Sequence, residues 1–128
     1  MKLQKMKMLI LAGVVATSIA VPNAASADTA YNTTLNPGQT KTIATEAIWA
    51  DAELIGTQYP VYSTGNCGVQ YIVVDSSGNV KAQKTSYVEG QVNFYLDLNA
   101  IGQTFAVKAK NVYNGAKDFI KLVGNLFD

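Results

Sequence analysis

Glu46, Asp51 and Glu53 flank Trp49 within one short stretch. Paired carboxyls beside an aromatic ring are the equipment of glycoside hydrolysis, where two carboxyl groups stand on either side of the scissile bond. Closeness in sequence does not carry such groups across a cleft, and a solvated strand end accounts for the same residues. Asp75, Ser77 and Asn79 take the first, third and fifth places of a calcium-loop spacing, but Val80 stands where the loop needs glycine and Ser86 where it needs a bidentate glutamate. A tight turn explains them. The chain has no histidine, which removes Ser-His-Asp and Cys-His nucleophile systems, HExxH zinc sites and imidazole acid–base chemistry together. Cys67 is the single cysteine and cannot form an internal disulfide. Its setting, Thr64-Gly65-Asn66-Cys67-Gly68, suits a small residue packed under a turn, with a link between chains as the alternative. No residue set calls for a cofactor or a metal, and the expectation is a protein that is not an enzyme.

Binding chemistry is better represented. One tryptophan and seven tyrosines are distributed over the chain. Tyr95 stands between Asn93 and Asp97 in a segment whose alternation turns all three away from the core. An exposed aromatic flanked by an amide and a carboxylate suits a sugar ring, with its apolar face and hydroxyl edge, and equally suits a protein contact, where tyrosine is enriched. Asn93, Tyr95, Asp97 and Trp49 are therefore the candidate ligand-binding residues; the plainer alternative is a tyrosine lying along a sheet and stabilising a cross-strand pair. Asn32-Thr33-Thr34 matches a glycosylation sequon.

The elements that must position these residues read as strands. Thr, Val, Ile and Tyr are frequent, and turn residues recur at short intervals. Ala30–Leu35 predicts a first strand, and Asn36-Pro37-Gly38-Gln39 a type II turn. Thr40–Trp49 alternates, with Ile43, Ala47 and Trp49 on one face; Asp51–Ser63 is less regular. Val69–Asp75 reads as a buried strand whose Ile72 and Val74 join the core, hairpinned through Ser76-Ser77-Gly78-Asn79 to Val80–Lys84. In Gln91–Leu98, Val92, Phe94, Leu96 and Leu98 face inward, and in Thr104–Lys110, Phe105, Val107 and Ala109 do. Phe119, Ile120, Leu122, Val123, Leu126 and Phe127 have the spacing of an amphipathic helix over 116–127, in competition with a last strand. The expected fold is all-β: a small antiparallel sandwich or barrel of six to seven strands, with that C-terminal helix.

Residues 1–27 read as a secretory signal peptide. Lys2, Lys5 and Lys7 precede an apolar run from Met8 to Val21, and Ala25 and Ala27 supply the small residues of a cleavage site before Asp28. The run is shorter than the roughly 20 residues of a membrane span. Residues 28–128 then form one β-rich domain. All three removed lysines come from the leader, so seven lysines face nine carboxylates in the remainder, a net charge of −2 against +1 for the whole chain. There is no arginine, and a nucleic-acid partner, which needs a basic face, is excluded. The expectation is a secreted, non-enzymatic binding domain at the cell envelope or in the medium, without a transmembrane segment, whose partner is an extracellular protein or polysaccharide. A secreted antagonist, suggested by the apolar C-terminal stripe, and a self-associating matrix or appendage subunit, suggested by free strand edges, are the alternatives.

Overall fold

The computed structural model describes residues 28–128, and the signal-peptide reading of 1–27 lies outside them. Eight strands follow one another: β1 (Asp28–Leu35), β2 (Thr40–Ile48), β3 (Ala52–Pro60), β4 (Val69–Asp75), β5 (Val80–Ser86), β6 (Gly90–Leu96), β7 (Gln103–Asn111) and β8 (Ile120–Phe127). They form two antiparallel four-stranded sheets, β1-β8-β3-β6 and β2-β7-β4-β5. The all-β sandwich expected from the sequence is the fold, with eight strands in place of six or seven. Of the connections, only β4–β5 is a hairpin within a sheet; every other loop passes from one sheet to the other. All loops therefore gather at two opposite ends of the sandwich.

Alternation explains which side chains meet between the sheets. The first sheet contributes Tyr31, Leu35, Leu54, Val92, Leu96, Ile120, Leu122 and Leu126, and the second Ala44, Ile48, Val69, Tyr71, Val73, Phe105, Val107 and Ala109. Phe94 and Leu98 are half-buried against this core, so the phase read from Gln91–Leu98 holds. One buried polar group links the sheets: Gln58 Nε2 donates to the carbonyls of Ser86 and Val88, at 3.0 and 2.8 Å, and the Tyr71 hydroxyl donates 2.8 Å to Gln58 Oε1. Cys67 is buried nearby with its thiol directed at the Val88 carbonyl, and burial pushes that thiol up. The Pro37-Gly38 turn forms as predicted: Gly38 has φ +70° and the Gln39 N–H donates to the Asn36 carbonyl.

Three expectations are corrected. The segment expected to be helical is β8, a central strand paired with β1 on one side and β3 on the other. Its inward positions are Ile120, Leu122, Gly124 and Leu126, while Val123 is exposed. Gly124 interrupts the alternation because the Tyr31 side chain from β1 occupies the space above it. A Cβ on either Gly124 or Gly56 would come within 2.5 Å of the Tyr31 hydroxyl. With the period-2 signal broken there, the remaining apolar offsets imitate a helix. In β4 the core side chains are Val69, Tyr71 and Val73; Ile72 lies on the other face, and Val74 is buried outside the core cluster, beside an irregularity in the β4–β5 register. In β2 a register shift at Ile43 puts Ala44, Glu46 and Ile48 inside and leaves Ala47 and Trp49 outside. Glu46, read from sequence as part of a solvated acidic cluster, is buried.

Candidate functional site: an aromatic platform on stitched loops

Trp49 and Tyr95 stand at the end of the sandwich where the β2–β3 loop, the β6–β7 loop and the β4–β5 turn meet. Both are 58% exposed, and both are held. The two longer loops are stitched by backbone hydrogen bonds, from the Ala100 N–H to the Ala50 carbonyl at 2.7 Å and from the Gly102 N–H to the Ile48 carbonyl at 2.8 Å. Asp51 is the hub between them. Its Oδ2 accepts 2.7 Å from the Tyr95 hydroxyl, and its Oδ1 accepts from the Leu98 and Asn99 N–H groups at 2.8 and 3.1 Å. Those donors, the Tyr95 hydroxyl foremost, hold the Asp51 carboxyl below its usual range.

The indole is propped from beneath. Gly102 has φ +92°, and a Cβ there would lie 2.7–2.9 Å from three carbons of the Trp49 six-membered ring. Distances so similar to three neighbouring ring atoms mean that the ring face lies over this residue, which only glycine makes free of collision. Ile101, 77% exposed, projects beside it. A cleft of about 200 Å³ adjoins, lined by Asp75, Lys81, Asn99, Gln103 and Phe105. That is below the 300–1,000 Å³ of an ordinary small-molecule pocket. Asp75 in this cleft serves the β4–β5 turn: its Oδ1 accepts the N–H groups of Ser77 and Asn79, and its Oδ2 lies 3.8 Å from Lys81. Among the described residues no group of three or more candidate side chains could hold a metal ion.

Asn93, Tyr95 and Asp97 are all exposed along the edge of the first sheet. Asn93 and Tyr95 lie on the outer face of β6, opposite Ile55 and Glu53 of β3. The structure thus joins Tyr95 to Trp49 through the Asp51-anchored loops and sets Asn93 one outward position further along β6. Sequence reasoning missed the two residues that organise the site, Asp51 and Gly102. Asp51 was visible only as one carboxylate among three near Trp49, and nothing in the sequence links Gly102 to an indole 53 positions away.

At the opposite end a second group of exposed apolar residues forms: Val61, Tyr62, Tyr87, Val88 and Val112. Tyr87 and Tyr113 meet edge-to-face with centroids 6.3 Å apart, as do Tyr62 and Phe119 at 5.9 Å. Beneath them, Asp118 Oδ1 accepts from the Asn66 N–H and Oδ2 from the Gly115 N–H, both at 2.9 Å, which holds its carboxyl low. Asn111, 1% exposed, donates to the carbonyls of Asn36 and Asp118 and accepts the Tyr113 N–H. Comparison with known proteins finds no family model that matches the chain and no curated protein that matches it.

Proposed function

We propose that the protein is an exported, non-catalytic binding domain that works by surface contact, and that a polysaccharide of the cell envelope or its surroundings lies across Trp49 and Tyr95. The observation that carries this reading is the indole fixed over Gly102 with its other side open. A ring already held in place loses little conformational freedom when a ligand arrives. Around it stand the hydrogen-bonding groups that sugar hydroxyls need: Asn93, Asp97, Asn99, Gln103 and Lys81. Retention on insoluble envelope polysaccharide tests the proposal. Wild type should be retained, and Trp49→Ala and Tyr95→Ala should each weaken retention at least tenfold, as central aromatic anchors do. Equal retention of wild type and the double variant would overturn it.

A protein partner or self-association at the opposite end is the second reading, favoured by the aliphatic character of Val61, Val88 and Val112 among the tyrosines there. Concentration-dependent elution from a sizing column, abolished by Tyr87→Ser, would support it. Ile120, Leu122 and Leu126 of the apolar stripe that suggested an antagonist are buried core residues of β8, which weighs against that alternative. Strand addition is opposed at one edge by Lys81 and Lys84 on β5.

A further inference from the structure

We propose that the corner formed by Asp28, Glu46 and Asp128 is a seat for the chain's own α-ammonium group, created at residue 28 when the leader is removed. The proposal rests on the reading of a cleavage site after Ala27 and goes beyond the binding function.

The corner is acidic and incomplete, with Glu46 buried behind the exposed Asp28 and the half-buried Asp128. Glu46 points inward from β2 and is 5% exposed. Its Oε1 accepts 2.7 Å from the Thr29 hydroxyl, but its Oε2 is buried and has no hydrogen-bond partner among the described residues. A buried carboxyl oxygen without a partner is costly. Asp28 opens β1 opposite Phe127 of β8, and Asp128 follows directly. The Asp128 Oδ1 accepts the Trp49 N–H at 3.2 Å. Burial pushes all three carboxyls up, and the charges of Asp28 and Asp128 add to the effect on Glu46, which reaches about 8. No lysine among the described residues bridges any of the three.

Cleavage supplies what is missing. Hydrolysis of the Ala27–Asp28 amide gives the water oxygen to Ala27 as a carboxylate and leaves a free amine on Asp28. Such an amine binds a further proton below about 7.7–8.0 in isolation, and higher beside carboxylates. Consecutive Cα atoms lie about 3.8 Å apart, so this nitrogen is one peptide unit from Thr29, whose hydroxyl already touches Glu46. A cation placed there neutralises the corner and gives Glu46 Oε2 a donor within reach. Before cleavage the same nitrogen is an uncharged amide, so processing and stability are coupled.

All eight strands and both core faces lie within 28–128, so the chain from Asp28 carries the complete sandwich and is the form to test. Two preparations are compared, one with a free α-amino group and one Nα-acetylated, each with Glu46 and with Glu46→Gln. The free form should melt higher at pH 7, and the difference should vanish in Glu46→Gln. By NMR the Glu46 carboxyl should titrate about 1–3 pH units lower in the free form than in the acetylated one, the range for a close opposite charge. This second measurement needs no variant to fold. Equal melting of the two forms, a difference that survives Glu46→Gln, or an unchanged Glu46 midpoint would overturn the proposal. N-terminal sequencing of the exported product separately checks the cut before Asp28.

Discussion

The two ends of the sandwich carry aromatic residues on tethered loops, yet they are built in opposite ways. At the Trp49 end the tethers are exposed: Asp51 bonds to the half-exposed Tyr95 and to loop backbone, and one face of the indole is left open. At the Tyr87 end the tethers are buried: Asn111 and Asp118 are closed off beneath the loops, and the aromatic rings pack on each other. A ring whose face is open can stack on something else, whereas rings satisfied edge-to-face by neighbours present an apolar rim. Under the proposed function a sugar-like ligand belongs to the first end and protein contact to the second, and the contrast says where mutations should affect stability and where binding.

The largest expected effect is at the Tyr87 end. Asn111→Ala strands the Asn36 and Asp118 carbonyls and the Tyr113 N–H, and should cost about 3 kcal/mol of unfolding free energy, since each buried group left unpaired costs about 1–3. Denaturant unfolding measures it. A loss below about 0.5 kcal/mol, the scale of an ordinary surface change, would mean that the two ends are tethered alike. Next comes Gly102→Ala at the Trp49 end. The positive φ should cost about 1–2 kcal/mol, and the new methyl group must lift the indole. Because Trp49 is the only tryptophan, its fluorescence reports the displacement directly. An unchanged spectrum would show that the ring is not seated on this residue.

Protonation separates Glu46 from the other site carboxyls. Asp51 and Asp118 are held low, so their stabilising contacts are complete above the ordinary carboxylate range and are lost as pH falls through their folded values. Glu46 runs the other way. Its folded value of about 8 lies above its ordinary 4.5, so the folded chain binds more protons than the unfolded one between these limits. Stability should therefore fall as pH rises from about 4.5 to 8 wherever residue 28 is not a free amine, and Glu46→Gln should flatten that slope. Thermal melts across this window, on acetylated protein, decide it. A slope unaffected by the substitution would place Glu46 in solvent.

Legibility followed how far each signal reaches along the chain. The β4–β5 hairpin, the β6 and β7 alternation and the Pro37-Gly38 turn are local patterns, and all were readable. The β8 strand was not, because its gap at Gly124 is filled by Tyr31, more than 90 residues earlier in the sequence. The β2 phase was obscured twice, by the register shift at Ile43 and by a carboxylate, Glu46, standing on the core side. Of the candidate site, the exposure of Asn93, Tyr95 and Asp97 followed from alternation. Its organisation by Asp51 and Gly102 is a loop-to-loop contact, which no periodicity encodes.

The smallest expected stability effect belongs to Trp49, the residue on which the proposed binding most depends. Trp49→Ala removes a side chain that is 58% exposed and rests on Gly102, and the backbone bonds stitching the two loops do not involve the indole. Unfolding free energy should change by no more than about 0.5 kcal/mol, while retention on envelope polysaccharide falls at least tenfold. Tyr87→Ser at the other end should leave that retention untouched. The pair of measurements is decisive because each end serves as the control for the other. If Trp49→Ala destabilises the fold by more than about 1.5 kcal/mol and retention tracks the folded fraction, the indole is a structural cover for a strained turn, and the contrast between the ends collapses. If retention is lost from a protein that melts normally, the open ring face is the binding surface.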